Sequence, residues 1–211
     1  MKPFALTIIL VGILFSACRE NDPQPTPQLA SAKDYFFPLK VGNYWVYRTE
    51  AETGDYPSYA IDTSYDTLRV ISDTVINSIT YYQLIGSLTT LTNFYGDSAG
   101  YIVYREGILF ELDTVPNAIL RQDTTDAGLF YREYKTGSID TTITVPVGSF
   151  SCIETELNAN YLLGNPPTPN PNPRPAFWYY TENIGLVKSI TWYVNASGKI
   201  TSELVDYQLI P

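Results

Sequence analysis

Histidine is absent from this sequence, and cysteine and methionine nearly so, with two and one. Without imidazole, the Ser-His-Asp and Cys-His templates and histidine-ligated metal centres are excluded. Two cysteines allow at most one disulfide, so this is not a stapled scaffold. Charge is sparse as well: 17% of residues are charged, and 13 Lys and Arg face 22 Asp and Glu, for a formal net charge of −9. An acidic field repels phosphate backbones and anionic lipid surfaces, which argues against nucleic-acid binding and against a basic membrane patch. No glycine-rich phosphate loop or nucleophile elbow occurs. No segment holds a 3.6-residue apolar stripe beyond two turns, so little helix is expected.

What the chain does have is aromatic and aliphatic mass. Of its 211 residues 45% are hydrophobic, with eighteen Tyr and nine Phe. That composition suits a folded, strand-rich protein, and the length suits one core.

The longest apolar run is Phe4 to Phe15, after Lys2. It is too short to span a bilayer, which takes roughly 20 residues, and it reads as the core of a signal peptide. Phe15-Ser16-Ala17-Cys18 closes it and resembles the lipobox of bacterial lipoproteins. The resemblance implies that residues 1–17 are removed and that Cys18 becomes a lipid-modified N-terminus, palmitate included. An uncleaved anchor and an ordinary signal peptide cut elsewhere are the alternatives. Arg19 stands where an Asp would retain such a protein at the inner membrane, so the resemblance points to the outer membrane, on its periplasmic or its cell-surface side. With Cys18 lipidated, Cys152 has no intramolecular partner. Residues 18–32, including Asp22-Pro23-Gln24-Pro25-Thr26-Pro27, are too proline-rich and apolar-poor to fold and read as a tether. Residues 33–211 are expected to form one β domain.

Gly42-Asn43 signals a turn before an alternating strand from Tyr44, and Pro38 ends any helical turn begun at Ala30-Lys33. Further strands are expected over Asp66–Ile76, Ile79–Leu91, Tyr101–Tyr104, Ile108–Leu112, Leu129–Tyr134 and Thr141–Val145. Gly96-Asp97 reads as a turn and Glu106-Gly107 as a hairpin. Pro146 and Gly148 make a turn or bulge from which a long strand leaves. Gly164–Pro175, with six prolines, cannot join a ladder and reads as an exposed loop. Phe177–Tyr180, Ser189–Val194 and Lys199–Ile210 complete some ten strands, the last two joined by a loop at Asn195–Gly198.

Three stretches have a pattern in common with a known group. Phe36-Phe37-Pro38-Leu39 with Gly42-Asn43-Tyr44-Trp45-Val46-Tyr47, then Val145-Pro146-Val147-Gly148-Ser149-Phe150-Ser151-Cys152, then Ile184-Gly185-Leu186-Val187-Lys188 together resemble Bacteroidota-type envelope lipoproteins of unknown function. The likeness runs from about Tyr35 to the end and implies kinship of fold; it brings no catalytic residue with it. The expected fold is mainly β: a single antiparallel, strongly curved sheet or partly open barrel, in up-and-down order.

Chemistry is thin. Asp62, Ser64, Asp66 and Asp73 match four positions of a calcium loop, but Thr67 stands where glycine is needed and the stretch reads as strand. Cys152 has Glu154 and Glu156 for neighbours, which disfavour a thiolate. Carboxylate pairs for glycoside hydrolysis occur in no distinctive motif. Trp178-Tyr179-Tyr180 and Trp192-Tyr193 offer faces for sugar stacking, or simply core. Seven of twelve aspartates precede Thr or Ser. Six of those continue as the Bacteroidota O-glycosylation sequon does, which implies glycans on Thr67, Thr74, Ser98, Thr114, Thr124 and Thr141. Asp-Thr also suits turns and strand starts.

No cofactor or metal is expected. The functional expectation is a non-enzymatic, lipid-anchored outer-membrane protein that binds an apolar ligand or an envelope partner. The alternative is a surface glycan-binding or glycan-cleaving accessory protein.

Overall fold

The computed structural model describes residues 35, 37–53, 58, 60–86, 93–98, 101–104, 107–110, 112, 115–124, 130–162, 175–193 and 198–211. Thirteen strands run through them: β1 (Tyr44–Thr53), β2 (Ala60–Ile76), β3 (Ile79–Ile85), β4 (Asn93–Ser98), β5 (Tyr101–Tyr104), β6 (Gly107–Phe110), β7 (Ile119–Thr124), β8 (Phe130–Thr136), β9 (Thr141–Val145), β10 (Gly148–Tyr161), β11 (Ala176–Thr181), β12 (Gly185–Trp192) and β13 (Lys199–Gln208). All belong to one antiparallel sheet in the order β6-β5-β4-β3-β2-β1-β13-β12-β11-β10-β8-β7, with β9 on β10. Neighbours are consecutive in sequence except at the seam where β1 meets β13 and where β10 pairs β8, skipping β9. The chain thus starts mid-sheet, meanders out to β6, restarts at β7 and meanders back.

That path forces curvature. A flat sheet of twelve strands in this order would be about 50 Å wide at ~4.8 Å per strand. Residues 111–118 link its two edges and reach about 30 Å at full extension. Side chains tell the same story: Tyr95 on β4 and Tyr180 on β11 lie six strands apart along the sheet, yet both pack against one hydrophobic cluster, as do Phe37, Leu39 and Leu112. No ladder joins β6 to β7 among the described residues. The sheet is strongly curved and not closed, as the sequence led one to expect.

Local chemistry explains the strand ends. Asn77 and Ser78, both at positive φ, form the two-residue turn that matches strand twist between β2 and β3. Pro146-Val147 turns β9 into β10, with Gly148 at φ +147°. β10 pairs β9 over its first five residues and β8 over its last seven, so one long strand braces two short ones.

Two expectations are corrected. Gly96-Asp97 is not a turn: both residues lie inside β4, and Gly96 pairs with Tyr81. A Cβ at Gly96 would meet the Tyr81 ring at 2.9 Å, so the glycine makes room for a ring lying across it, a role that turn statistics do not reveal. The strand expected over Ile79–Leu91 ends at Ile85. The strands Ala60–Tyr65, within β2, and β7 were not anticipated, because polar residues interrupt their alternation. Cys18, Thr114, the Ala30-Lys33 turn, the tether and 163–174 of the proline-rich loop lie outside the described residues.

Candidate functional site

The three motif stretches meet in one place. Trp45, Tyr47, Val145, Cys152 and Val187 are buried in a single core cluster with Val70, Leu84 and Leu204, and Phe37, Val147, Phe150 and Ile184 pack against it. Trp45 is fully shielded from solvent. Its Nε1–H donates to the Ile184 carbonyl at 2.9 Å, and the Tyr47 hydroxyl donates to the Leu186 carbonyl at 2.7 Å. Both side chains start on β1, reach past β13 and hold the start of β12.

Gly42 and Gly185 serve this junction. Each has φ +99°; Ile210 lies against Gly42, and the Phe37 backbone passes 3.1 Å from where a Cβ on Gly185 would sit. Asn43, buried between them in the sequence pattern, has every polar group engaged. Its Nδ2 donates to Pro38 O at 2.8 Å, its Oδ1 accepts from Ile210 N–H at 2.7 Å, and its backbone bonds Lys40 and Val70. Its side chain thereby ties the entry segment to the C-terminal segment, and its backbone ties both to β2. Sequence reading took Gly42-Asn43 as a turn and missed the staple, which depends on residues far along the chain.

The opposite face of the seam is polar. Strand register aligns Arg48, Glu203, Lys188 and Tyr179 in a row across β1, β13, β12 and β11. Glu203 accepts from Arg48 at 2.9 Å and from Lys188 at 2.8 Å. Burial pushes the Glu203 carboxyl up, but the bonds and charges of Lys188 and Arg48 outweigh it, and its pKa is lowered. The linkage sign follows: the carboxylate form is the one stabilised in the fold, so its contribution is present above the unfolded glutamate pKa and is lost as pH falls through the lower folded value. Glu203→Gln should therefore cost about 1 kcal/mol at neutral pH and less in acid. Urea unfolding of both proteins at neutral and acidic pH checks this; equal penalties at both would contradict it.

The other shifted groups move away from neutrality. Burial raises Tyr47 and, more weakly, Tyr180 adds to it; burial and then Tyr95 raise Tyr180. Tyr179 is pushed up to about 12, first by burial and then by Glu154. Cys152 rises to about 11 because it is buried, an effect that the backbone bond from Ile143 only partly offsets, and its Sγ lies 3.6 Å from Phe150 O. These groups keep their protons at physiological pH, and Tyr47, Tyr179 and Cys152 use them as hydrogen-bond donors, to Leu186 O, Glu154 and Phe150 O.

The remaining sequence candidates are dispersed. Asp62, Ser64, Asp66 and Asp73 all lie on extended β2, so Asp73 is about 36 Å along the strand from Asp62 and the four do not converge. Trp178 and Tyr180 point to one side of β11, Phe177 and Tyr179 to the other, where their rings stack at 6.4 Å. Trp192 donates to Pro175 O at 3.1 Å. Five of the sequon residues lie on strands: Thr67 and Thr74 on β2, Ser98 on β4, Thr124 on β7 and Thr141 on β9. Thr74 and Thr124 are exposed and Thr67 and Thr141 half-buried. Among the sequon aspartates, Asp123 is engaged by Arg132 at 2.6 Å and Arg121 at 3.2 Å, and Asp140 by Ser151 at 2.8 Å.

No protein-family model matches the sequence, and no curated protein does. Two crystal structures match the fold. One is a Bacteroides fragilis protein assigned as exported, with a YmcC-like fold, 13% identical over 83% of this chain and all of its own, at a TM-score of 0.51. The other is a Parabacteroides distasonis protein assigned as a lipoprotein, 12% identical over 83% of this chain and 99% of its own, at 0.52. This chain shares their fold.

Proposed function

We propose that this protein is an outer-membrane lipoprotein, anchored through Cys18, whose β domain works without catalysis by binding an envelope protein. The observation behind this reading is the core itself. Trp45, Leu84, Val187 and Leu204 are at most 1% exposed, so the curved sheet is packed around its own side chains, and that favours a protein partner over an apolar ligand. The motif residues hold this core, and the shifted titratable groups on it are set as donors. The neighbours assigned as exported and as a lipoprotein agree with an envelope setting. Cross-linking in intact outer membranes followed by affinity capture tests it: a specific envelope protein should be recovered with the wild-type chain. Recovery of lipid or glycan alone would overturn it.

Glycans on those Asp-Thr sites that stand clear of the membrane belong to the same proposal. Thr124 is the best placed, exposed at the end of edge strand β7. Thr124→Ala should lower the intact mass of protein from its native host by one glycan, and an unchanged glycan mass would remove the site.

A further inference from the structure

Large apolar side chains are exposed at the end of the domain where the tether joins it. Phe37, the last described residue but one before the tether, packs on Trp45 with ring centroids 4.9 Å apart and lies against Gly185. That places the chain's entry at the β1 start, the β11–β12 turn and the C-terminus. β1 begins at the Tyr44↔Arg69 pair, but β2 runs seven residues past it to Ile76 before turning into β3. The β2–β3 hairpin therefore projects beyond the tether end. On it Ile71, Val75 and Ile76 are exposed, Val75 to 66%, and beside the entry so are Val41 and Ile210, with Ile210 lying over Gly42.

Charge divides the same way. From Val70 to Thr80 the hairpin has one charged residue, Asp73. At the opposite end of β1, β2 and β13 lie Glu50, Glu52, Asp62 and Lys199, with Lys199 paired to Glu52 at 3.6 Å. Burying the hairpin tip in an apolar medium thus removes aliphatic surface from water at the cost of one carboxylate, at roughly 25 cal/mol per Å².

We infer that the β2–β3 tip, with Val41 and Ile210, is a membrane-docking end that rests in the interfacial layer of the bilayer to which Cys18 is anchored. The inference rests on the lipid-anchor reading. Between Cys18 and Tyr35 the chain spans at most about 60 Å, which keeps the tip at high effective concentration over the lipid. Contact through aliphatic side chains needs no basic patch, so it is compatible with the −9 net charge and is insensitive to salt. The docked tip leaves no room for a glycan on Thr74, which is expected unmodified, whereas Thr124 lies at the far end.

The test uses the full lipidated protein with single cysteines in place of Val75 or of Ile61, which is 63% exposed and about 46 Å away along β2. Each is labelled with an environment-sensitive fluorophore, Cys152 being buried and Cys18 blocked by lipid. The proteins are bound to phosphatidylethanolamine–phosphatidylglycerol vesicles containing a nitroxide-lipid quencher, at low and high salt. Both proteins should float with the vesicles, and the Val75→Cys label should be quenched several-fold more than the Ile61→Cys label at either salt. Flotation with equal quenching, or with stronger quenching at Ile61, would overturn the docking end and leave the anchor intact. Failure to float would overturn the anchor and the docking end with it.

Discussion

Replacing Cys18 by alanine should abolish lipid attachment: incorporation of labelled palmitate falls to background, and residues 1–17 stay on the chain. The reason is chemical. The proposed anchor is a thioether, and in the Phe15-Ser16-Ala17-Cys18 segment only the Cys18 thiol has the sulfur that such a bond requires; neither alanine nor the neighbouring Ser16 substitutes for it. The other thiol offers no second site, because Cys152 is buried in the core and burial raises it to about 11. The energetic effect is large, since acyl chains hold a protein to a bilayer with about 0.8 kcal/mol per buried CH₂ and stable anchoring takes two such signals. Palmitate incorporation that survives Cys18→Ala would show the anchor to be elsewhere.

Trp45→Ala should destabilise the domain by about 3–5 kcal/mol, the range for deleting a fully buried large aromatic. Against a typical domain stability of 5–15 kcal/mol, that leaves little. Three losses coincide: the indole volume at the centre of the cluster, the contact with Phe37, and the Nε1–H bond that satisfies Ile184 O. Trp45→Phe separates them, keeping most of the packing and forfeiting the bond, for a smaller penalty of about 1–3 kcal/mol. Chemical denaturation of the two variants should rank them in that order. Equal penalties would mean that the hydrogen bond, rather than the packing, holds the seam to β12.

The sheet was legible where alternation is clean and turns have their own chemistry. Thr141–Val145 was expected at the bounds β9 has, and β5 and β6 pair as the expected hairpin, with Gly107 opening β6 opposite Tyr104. What stayed hidden depends on distant residues. Gly96 reads as a turn because glycine usually marks one; only the pairing with Tyr81 makes it a strand residue. Asn43 reads as turn chemistry because its partners, Pro38, Val70 and Ile210, are spread over the chain. The seam between β1 and β13 joins the two ends of the domain, and no local pattern announces it. The Gly-Asn-x-Trp and Gly-Leu-Val-Lys motifs were legible as motifs, and their meaning came only when Trp45 was seen bonded to the Ile184 carbonyl. The apolar tip of the β2–β3 hairpin had the same fate: Val75 and Ile76 read as ordinary strand residues until the register carried them past the end of β1.

The central claim is the anchor, and mass spectrometry of the N-terminal peptide, taken from protein purified out of its native membranes, tests it most directly. The expected peptide begins at Cys18 and exceeds the mass of its amino acids by a diacylglyceryl group, with or without a further acyl chain. A peptide that begins at Met1, or at any residue other than Cys18, and has no acyl mass would contradict it.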